Sequence, residues 1–204
     1  DKPIPGYTLD NESNSFLGVR GVRLSLMHPD VFRVQIRALL RAAADGDIRI
    51  MIPMVSVPTE MEQVGSIVLE EAARLASGGL SHRIPPVGMM VEVPAAALIL
   101  ERFDTDFASI GSNDLTQYTM AASRDTPYLA ELSDAAEPAV QALIAMTVAK
   151  AGERGIPVSL CGDAGSDPAI VPALLDAGLR SLSVAPASVG QVKRAISMHG
   201  SGGA

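Results

Sequence analysis

Hydrophobic positions follow two alternating patterns from residue 29 onward: long segments with helical spacing, and short apolar runs that end at polar residues, Gly or Pro. The helical spacing predicts helices over residues 29–44, 58–76, 94–103, 115–122, 137–154, 167–177 and 188–199. The apolar runs predict five strands, with the sequences IRIMIPMV, PPVGMMVEV, DFASIGSND, PVSLCGD and LRSLSVAP. Because parallel neighbours need a crossover connection, this strand–helix order predicts an α/β fold with parallel strands.

Three of the predicted strands contain apolar runs without polar alternation, namely MIPMV, VGMMV and PVSL. Strands that are buried on both faces have this pattern, as in a barrel wrapped by helices or in a doubly wound sheet. In both architectures the active site lies beyond the carboxyl ends of the strands. The residues that close the predicted strands are therefore the candidates for chemistry.

Two carboxylates, Glu92 and Asp114, follow consecutive predicted strands. Side chains at the ends of adjacent parallel strands can converge, and two hard oxygen ligands suit Mg²⁺ when it acts on a phosphorylated ligand. The alternative is that each acid caps a helix, Glu92 the one starting at Pro94 and Asp114 the one starting at Leu115. The spacing leaves both interpretations open.

The single cysteine, Cys161, closes the strand PVSL and is followed by GDAG. A buried cysteine is most often an inert small hydrophobic residue. The glycines favour a tight exposed turn, where a thiol can be a proton donor or a nucleophile. Arginine is the side chain suited to bidentate capture of phosphate or carboxylate, although spacing alone does not single out Arg20 or Arg124.

Composition and charge exclude several classes of function. The chain is 48% hydrophobic with a formal net charge of -7, which favours a globular fold and leaves no broad cationic surface for nucleic acid. One cysteine cannot form an internal disulfide, and this predicts a cytoplasmic setting. No segment approaches the roughly 18 uninterrupted apolar residues of a membrane span, so no membrane insertion is expected. Neither a Walker loop nor a GxGxxG motif is present.

The segment SIGSNDLTQYTMAASRD resembles the signature of the phosphoenolpyruvate-utilising enzymes. The resemblance continues, in the family's order, through NSFLGVRGVRLSL, IRIMIPMVSVPTEMEQV, VGMMVEVPAAAL, VSLCGDAGSDP and LRSLSVAP. Tyr118 and the segment from Cys161 through Pro168 are more similar to enzyme I of the bacterial sugar phosphotransferase system than to pyruvate phosphate dikinase or phosphoenolpyruvate synthase. The implied fold is a TIM-type (β/α)₈ barrel with only the last five βα units in this chain.

The resemblance implies a domain division and roles for individual residues. Residues 1–199 are expected to be the C-terminal part of a phosphoenolpyruvate-binding barrel domain, and 200–204 a flexible tail. Glu92 and Asp114 resemble the family's Mg²⁺ ligands, and Cys161 resembles the acid that gives a proton to the methylene carbon of enolpyruvate. The residues implied to bind substrate are Arg20, Asn113, Asp114 and Arg124.

The implied activity is Mg²⁺-dependent transfer of the phosphoryl group of phosphoenolpyruvate to a histidine on a separate domain, with pyruvate as product. A downstream carrier protein and a homodimer are expected partners. Three alternatives stay open: a pyruvate phosphate dikinase or phosphoenolpyruvate synthase domain, a Mg²⁺-dependent pyruvate-enolate aldolase or lyase, and an inactive fragment. With five strands of eight, the chain is expected to belong to a longer enzyme or to associate through its open edges.

Two residues depart from the family pattern. Ser15 stands where the family usually has proline, and Asp163 where it has glutamate. The first is expected to alter only the approach to Arg20. The second shortens an acid beside Cys161 and is expected to weaken its orientation.

Overall fold

The fold is taken from a computed structural model that describes residues 6–7, 12 and 14–201, without the side chain of residue 201. The chain divides into two compact units. The first unit comprises Asp1–Met89 and Asp104–Asp106, and the second comprises Met90–Phe103 and Phe107–Ala204.

The first unit contains a short 3₁₀ turn, three helices and a pair of parallel strands. The turn spans Ser15–Leu17, and the helices are α1 (Val22–Met27), α2 (Pro29–Asp45) and α3 (Pro58–Ser77). Strand β1 (Ile50–Ile52) pairs in parallel with β2 (Val87–Val91), with Ile50 opposite Val87 and Ile52 opposite Met89. Helix α1 was not among the predicted elements, because its six residues give too short a pattern to separate from a turn.

Helical spacing predicted the inward residues of α3 correctly and those of α2 in part. In α3 the apolar spacing predicts Met61, Val64, Ile67, Val68 and Leu75 as inward residues, and all five are buried. In α2 it predicts Val31, Ile36, Leu39 and Leu40; Ile36 and Leu40 are buried and Leu39 is half-buried, but Phe32 is buried in place of Val31, which is exposed. Residues 32, 36 and 40 lie four apart and therefore follow one helical face, which residue 31 does not share.

A buried carboxylate joins α2 to α3. Glu71 in α3 is 2% exposed and accepts hydrogen bonds from the guanidinium groups of Arg33 and Arg37, each at 3.0 Å. The arginines are four residues apart on α2, so both reach the same carboxylate. Arg33 and Arg37 therefore connect α2 to α3 through one buried carboxylate.

The second unit contains two parallel strands and most of the short helices. Its strands are β3 (Ala108–Gly111) and β4 (Val158–Cys161), and its α-helices are α4 (Pro94–Leu98), α5 (Ser112–Met120), α6 (Pro138–Glu153), α7 (Val171–Asp176) and α8 (Val189–Ser201). Four 3₁₀ turns lie between them, at Leu100–Arg102, Pro127–Leu132, Asp163–Ser166 and Pro186–Ser188. Ala108 pairs with Val158 and Gly111 with Cys161, so the two strands end at the same level.

The structure corrects the prediction of a fifth strand. Four strands are assigned among the described residues, and the segment LRSLSVAP contributes only a single parallel bridge between Leu160 and Leu182. Two backbone hydrogen bonds of Leu160, with Ser181 and Ser183, make this bridge, and further along the segment the backbone N–H of Ala185 donates to the Ser166 hydroxyl. Helix α8 continues to Ser201, past the predicted end at 199, and residues 202–204 of the predicted tail lie outside the described residues.

The observed elements are those of an α/β fold with parallel strands, as predicted. All four residues of β3 are buried, as expected for a strand covered on both faces. No helix in the described part of the chain is both long enough and apolar enough to cross a membrane. The ends of β3 and β4 hold the predicted chemical groups of the second unit.

Candidate active site

Gly111, the last residue of β3, brings two of the predicted site residues together. Cys161 is its partner in the neighbouring strand, and Glu92 packs against it. A Cβ atom on Gly111 would lie 2.7 Å from Oε2 of Glu92 and 2.9 Å from its Cβ. Glycine at this position therefore leaves the space that the Glu92 carboxylate occupies, and that side chain is only 4% exposed.

Asn113 and Asp163 connect the turn after β3 to the turn after β4. Asn113 Nδ2 donates to Asp163 Oδ2 at 3.1 Å, and the backbone N–H of Asp163 donates to Asn113 Oδ1 at 2.9 Å. The Ser112 hydroxyl donates to the Cys161 carbonyl oxygen at 2.8 Å. Three polar contacts therefore fix the relative positions of the two strand ends.

Asp114 lies in the first turn of α5, close to Arg124. Oδ2 of Asp114 is 3.6 Å from Nη1 of Arg124. The backbone N–H of Arg124 donates to Gln117 Oε1 at 3.1 Å. The structure thus brings a predicted metal ligand and a predicted phosphate- or carboxylate-binding arginine next to each other.

Cys161 is half-buried at the end of β4, and its Sγ is 3.5 Å from the backbone carbonyl oxygen of Ile110, to which the thiol donates. Burial raises the pKa of this thiol above its ordinary value, and the negative charges of Glu92 and Asp114 raise it further. A hydrogen bond with the side chain of Ser109 acts in the opposite direction. The thiol is therefore held in its neutral form, and both carboxylates act electrostatically on it.

The helix-capping alternative for the two acids is not supported. The N-cap of α4 is Val93 and that of α5 is Gly111, and neither makes a side-chain capping bond. Asp114 lies in the first turn of α5, where a negative charge interacts favourably with the helix dipole but does not cap the helix end.

The donor set at these strand ends suits a hard divalent cation. Glu92 and Asp114 offer carboxylate oxygens, and the space beside Gly111 accommodates the Glu92 carboxylate. Within the described residues, no group of three or more His, Cys, Asp or Glu side chains comes close enough to hold a metal ion. Two carboxylates with remaining positions for water and substrate oxygens are the arrangement in which Mg²⁺ is commonly bound. The residues present therefore fit Mg²⁺.

A cavity of about 790 Å³ lies in the second unit, and its lining does not include Glu92, Asp114 or Cys161. Asn113, Gln117, Arg124 and Asp163 line it, together with Asp167 and other residues of the turns that follow β4. The cavity has room for a phosphorylated three-carbon acid with much of its volume left over.

Arg20 belongs to the first unit. Its guanidinium lies 5.4 Å from the centre of the Phe16 ring, within the distance of a cation–π contact. Nearby, Arg23 donates to the backbone carbonyls of Leu17 and Gly18, each at 3.0 Å. Its side chain therefore supports the turn that precedes Arg20.

Sequence reasoning did not single out Gln117. It lies three residues after Asp114 in NDLTQ, and helical spacing would have placed the two on one face of α5. A polar side chain on the same helical face as the candidate ligand Asp114 is the sequence signal that could have identified Gln117.

The fold and this site define a class of protein: a parallel α/β protein of the barrel type, with acids, an amide and a thiol collected where the strands end. Residues 1–200 match the profile of the PEP-utilising enzymes, PEP-binding domain. The chain belongs to that family, which confirms the resemblance.

Curated relatives share the name phosphoenolpyruvate-protein phosphotransferase. The chain is 43% identical over 192 residues to the phosphoenolpyruvate-protein phosphotransferase of Geobacillus stearothermophilus. The aligned residues are 93% of this chain and 33% of the relative. It is 42% identical over 202 residues to that of Haloferax volcanii, covering 96% of this chain and 36% of the relative. It is 41% identical over 193 residues to that of Bacillus subtilis, covering 93% and 34%. The chain therefore spans about a third of the length of these relatives.

A solved structure supports the fold. The crystal structure of a citrate lyase from Burkholderia xenovorans LB400 superposes with a TM-score of 0.59 at 19% identity, covering 80% of this chain and 53% of that one. At this identity the likeness concerns the fold alone. It agrees with an α/β chain that forms part of a TIM-type barrel.

Proposed function

We propose that this chain is the phosphoenolpyruvate-binding part of a phosphoenolpyruvate-protein phosphotransferase. The observation that carries the proposal is the position of the Cys161 thiol, half-buried at the end of β4 opposite Gly111, where burial raises its pKa. Family membership and the names of the relatives support it. Because the chain spans about a third of those relatives, the activity is proposed for a longer protein of which residues 1–199 form the C-terminal part of the barrel.

In this proposal Asn113, Asp114 and Arg124 bind the phosphate and carboxylate groups of phosphoenolpyruvate. Arg124 supplies a delocalised cation with bidentate geometry, and the fixed amide of Asn113 supplies a neutral donor. Arg20 is proposed to serve as a further phosphate- or carboxylate-binding arginine. Several hydrogen-bond donors around a trianionic substrate lower the electrostatic free energy of binding it next to the carboxylates of Glu92 and Asp114.

Glu92 and Asp114 are proposed to hold Mg²⁺ through their carboxylate oxygens. When bound, the ion supplies positive charge that stabilises the enolate oxygen left behind when the phosphoryl group departs. Support for this role comes from the position of the Glu92 carboxylate, which packs against Gly111 at the end of β3.

The reaction proposed for these residues has two parts. A histidine nitrogen on a separate domain takes the phosphoryl group as the bond between phosphorus and the enol oxygen breaks. The Cys161 thiol then gives its proton to the methylene carbon of the enolate, which yields pyruvate and a thiolate that regains a proton from water. A thiol with a raised pKa is protonated at neutral pH and is therefore ready for this step.

The remaining partners are part of the same proposal. The phosphorylated histidine would pass the group to a downstream carrier protein, and a homodimer and a cytoplasmic setting are expected for the complete enzyme. These expectations follow from the family and from the sequence.

Calorimetric titration of this chain with phosphoenolpyruvate, with and without Mg²⁺, tests the proposed function. Saturable binding that requires Mg²⁺ is expected, with a loss of at least about tenfold in affinity in Glu92→Gln and in Asp114→Asn, because each variant removes one anionic ligand. Asp167→Asn is the matched control, since Asp167 lines the cavity together with Asn113 and Arg124 and accepts a hydrogen bond from the backbone N–H of Ala169.

The control should bind as the unsubstituted chain does. Equal weakening in all three variants would indicate a general charge effect in place of a metal site. Absence of binding by a folded sample, with and without Mg²⁺, would contradict the proposed function for this chain.

A further inference from the structure

Gln117 in α5 holds the segment that follows this helix at two points. Its side-chain Oε1 accepts a hydrogen bond from the backbone N–H of Arg124 at 3.1 Å. Its backbone carbonyl accepts from the backbone N–H of Ala122 at 3.2 Å. The chain reverses at Ala121, just after the helix, where φ has the left-handed value of 53°. Gln117 therefore binds the end of the helix through its backbone carbonyl and Arg124 through its side chain.

Arg124 also contacts the same helix through its guanidinium. Its Nη1 lies 3.6 Å from Oδ2 of Asp114. Asp114 and Gln117 are three residues apart in α5 and therefore lie on one helical face. Gln117 binds the backbone N–H of Arg124, and Asp114 attracts its guanidinium group. Two residues of α5 therefore position both the backbone and the charged group of Arg124.

The burial of Gln117 is not explained by stability. The residue is 6% exposed, and its Nε2 is buried with no hydrogen-bond partner among the described residues. A buried amide with an unpaired donor destabilises a fold, and an apolar side chain of the same length would avoid that cost. The hydrogen bond from Arg124 is the contact of this side chain that an apolar residue cannot replace.

We infer that Gln117 is a positioning residue for Arg124: its Oε1 anchors the backbone of Arg124 so that the guanidinium is held beside Asp114 at the edge of the cavity. The inference deepens the proposed function and rests on it, because Arg124 is proposed there to bind phosphoenolpyruvate. Gln117 acts through Arg124 and does not itself contact the reacting atoms.

Hydrogen exchange of the Arg124 amide, measured by NMR on the ligand-free chain, tests the anchor. Gln117→Met and Gln117→Leu lack the acceptor oxygen, whereas Gln117→Glu keeps one. Thr119→Val is the control, since the Thr119 hydroxyl bonds only within α5, to the Leu115 carbonyl at 2.6 Å. Exchange at Arg124 should be at least about tenfold faster in the Met and Leu variants and unchanged in the Glu and Val variants. Unchanged protection in the Met and Leu variants would overturn the inference.

Phosphoenolpyruvate titration in a double-mutant cycle tests the consequence for binding. Gln117→Met should weaken binding by about tenfold when Arg124 is present and by less than about twofold in an Arg124→Gln background. The same factor in both backgrounds would overturn the inference, because Gln117 would then act independently of Arg124. If the unsubstituted chain binds no phosphoenolpyruvate while Arg124 exchange still depends on Gln117, the proposed function fails and the anchor stands.

Discussion

Asn113 and Asp163 bind each other through two hydrogen bonds, one from the Asn113 amide to the Asp163 carboxylate at 3.1 Å and one from the Asp163 backbone N–H to the Asn113 carbonyl oxygen at 2.9 Å. Rotating the amide by half a turn would set its oxygen against the carboxylate and its nitrogen against an N–H group. The pair therefore fixes which way the Asn113 amide faces. Asp163 therefore orients a residue proposed to bind the substrate.

Asp163→Ala should weaken phosphoenolpyruvate binding by about tenfold, because the Asn113 amide loses a hydrogen bond to a charged acceptor, a contact worth about 1.5–3 kcal/mol. Asp167→Ala removes the same charge from the same cavity but no contact with Asn113, and it should leave affinity within about twofold. Titration calorimetry of both variants measures the difference. Equal losses would show that the cavity's net charge, and not the orientation of Asn113, determines binding.

Gly162 is required where the two strand ends approach each other. Its φ is 96°, and a Cβ atom there would lie 2.3 Å from Oγ of Ser112 and 2.7 Å from Oδ1 of Asn113. Gly162→Ala should lower the free energy of unfolding by about 1–3 kcal/mol, since it combines a left-handed backbone with a collision. Chemical denaturation measures the change.

Gly152→Ala is the matched control for that substitution. Gly152 lies in α6, and a Cβ atom there would meet nothing within 4 Å. Alanine should leave stability unchanged or raise it by about 0.5–1 kcal/mol, because glycine is unfavourable inside a helix. A similar loss in both variants would contradict the steric explanation for Gly162.

Much of the fold could be predicted from the sequence, because long amphipathic helices and buried strands leave strong periodic signals. Helix α3, predicted at 58–76, is observed at Pro58–Ser77 with the predicted inward residues buried. The apolar residues of LRSLSVAP predict a strand, yet only Leu182 bridges to β4. Local sequence does not show that the backbone N–H of Ala185 donates to the hydroxyl of Ser166, 19 residues earlier in the chain.

The sequence indicates the members of the candidate site better than it indicates their contacts. The strand-end rule predicts Glu92, Asp114 and Cys161 as candidates, whereas Arg124 enters only through the family resemblance. The bonds between Asn113 and Asp163 join residues 50 apart in the chain. Such contacts depend on the register of β3 against β4, which local sequence does not determine.

The Cys161 thiol should react with an alkylating agent only at higher pH than an unfolded thiol, whose pKa is about 8.5. Burial raises its pKa, and the charges of Glu92 and Asp114 add to the effect. Iodoacetamide labelling followed by mass spectrometry gives the pH profile. Glu92→Gln should move the profile to lower pH, while Glu101→Gln, which removes a carboxylate paired with Lys150, should not. A profile at or below that of a free thiol would contradict the raised pKa.

The raised pKa of the Cys161 thiol also makes the free energy of unfolding depend on pH. The folded chain holds the Cys161 proton more tightly than the unfolded chain does, so the stability that the neutral thiol contributes is complete below about pH 8.5. It is lost as the pH rises through the folded-state pKa. The difference in unfolding free energy between the unsubstituted chain and Cys161→Ser should therefore change in favour of the serine variant above pH 8.5. A difference independent of pH from 7 to 10 would contradict this.

Glu71 should contribute more to stability than its neighbour Glu70, although both bind Arg33. Glu71 is buried and also binds Arg37, whereas the Glu70 side chain is 59% exposed. Removing the charge at Glu71 leaves two guanidinium groups without their shared carboxylate, so Glu71→Gln should cost about 1–3 kcal/mol. Glu70→Gln should cost less than about 1 kcal/mol, because exposed ion pairs are screened by water. Urea denaturation of both variants at low and at 0.5 M salt checks this: the Glu70 effect should fade with salt while the Glu71 effect persists, and equal costs would contradict the role of burial.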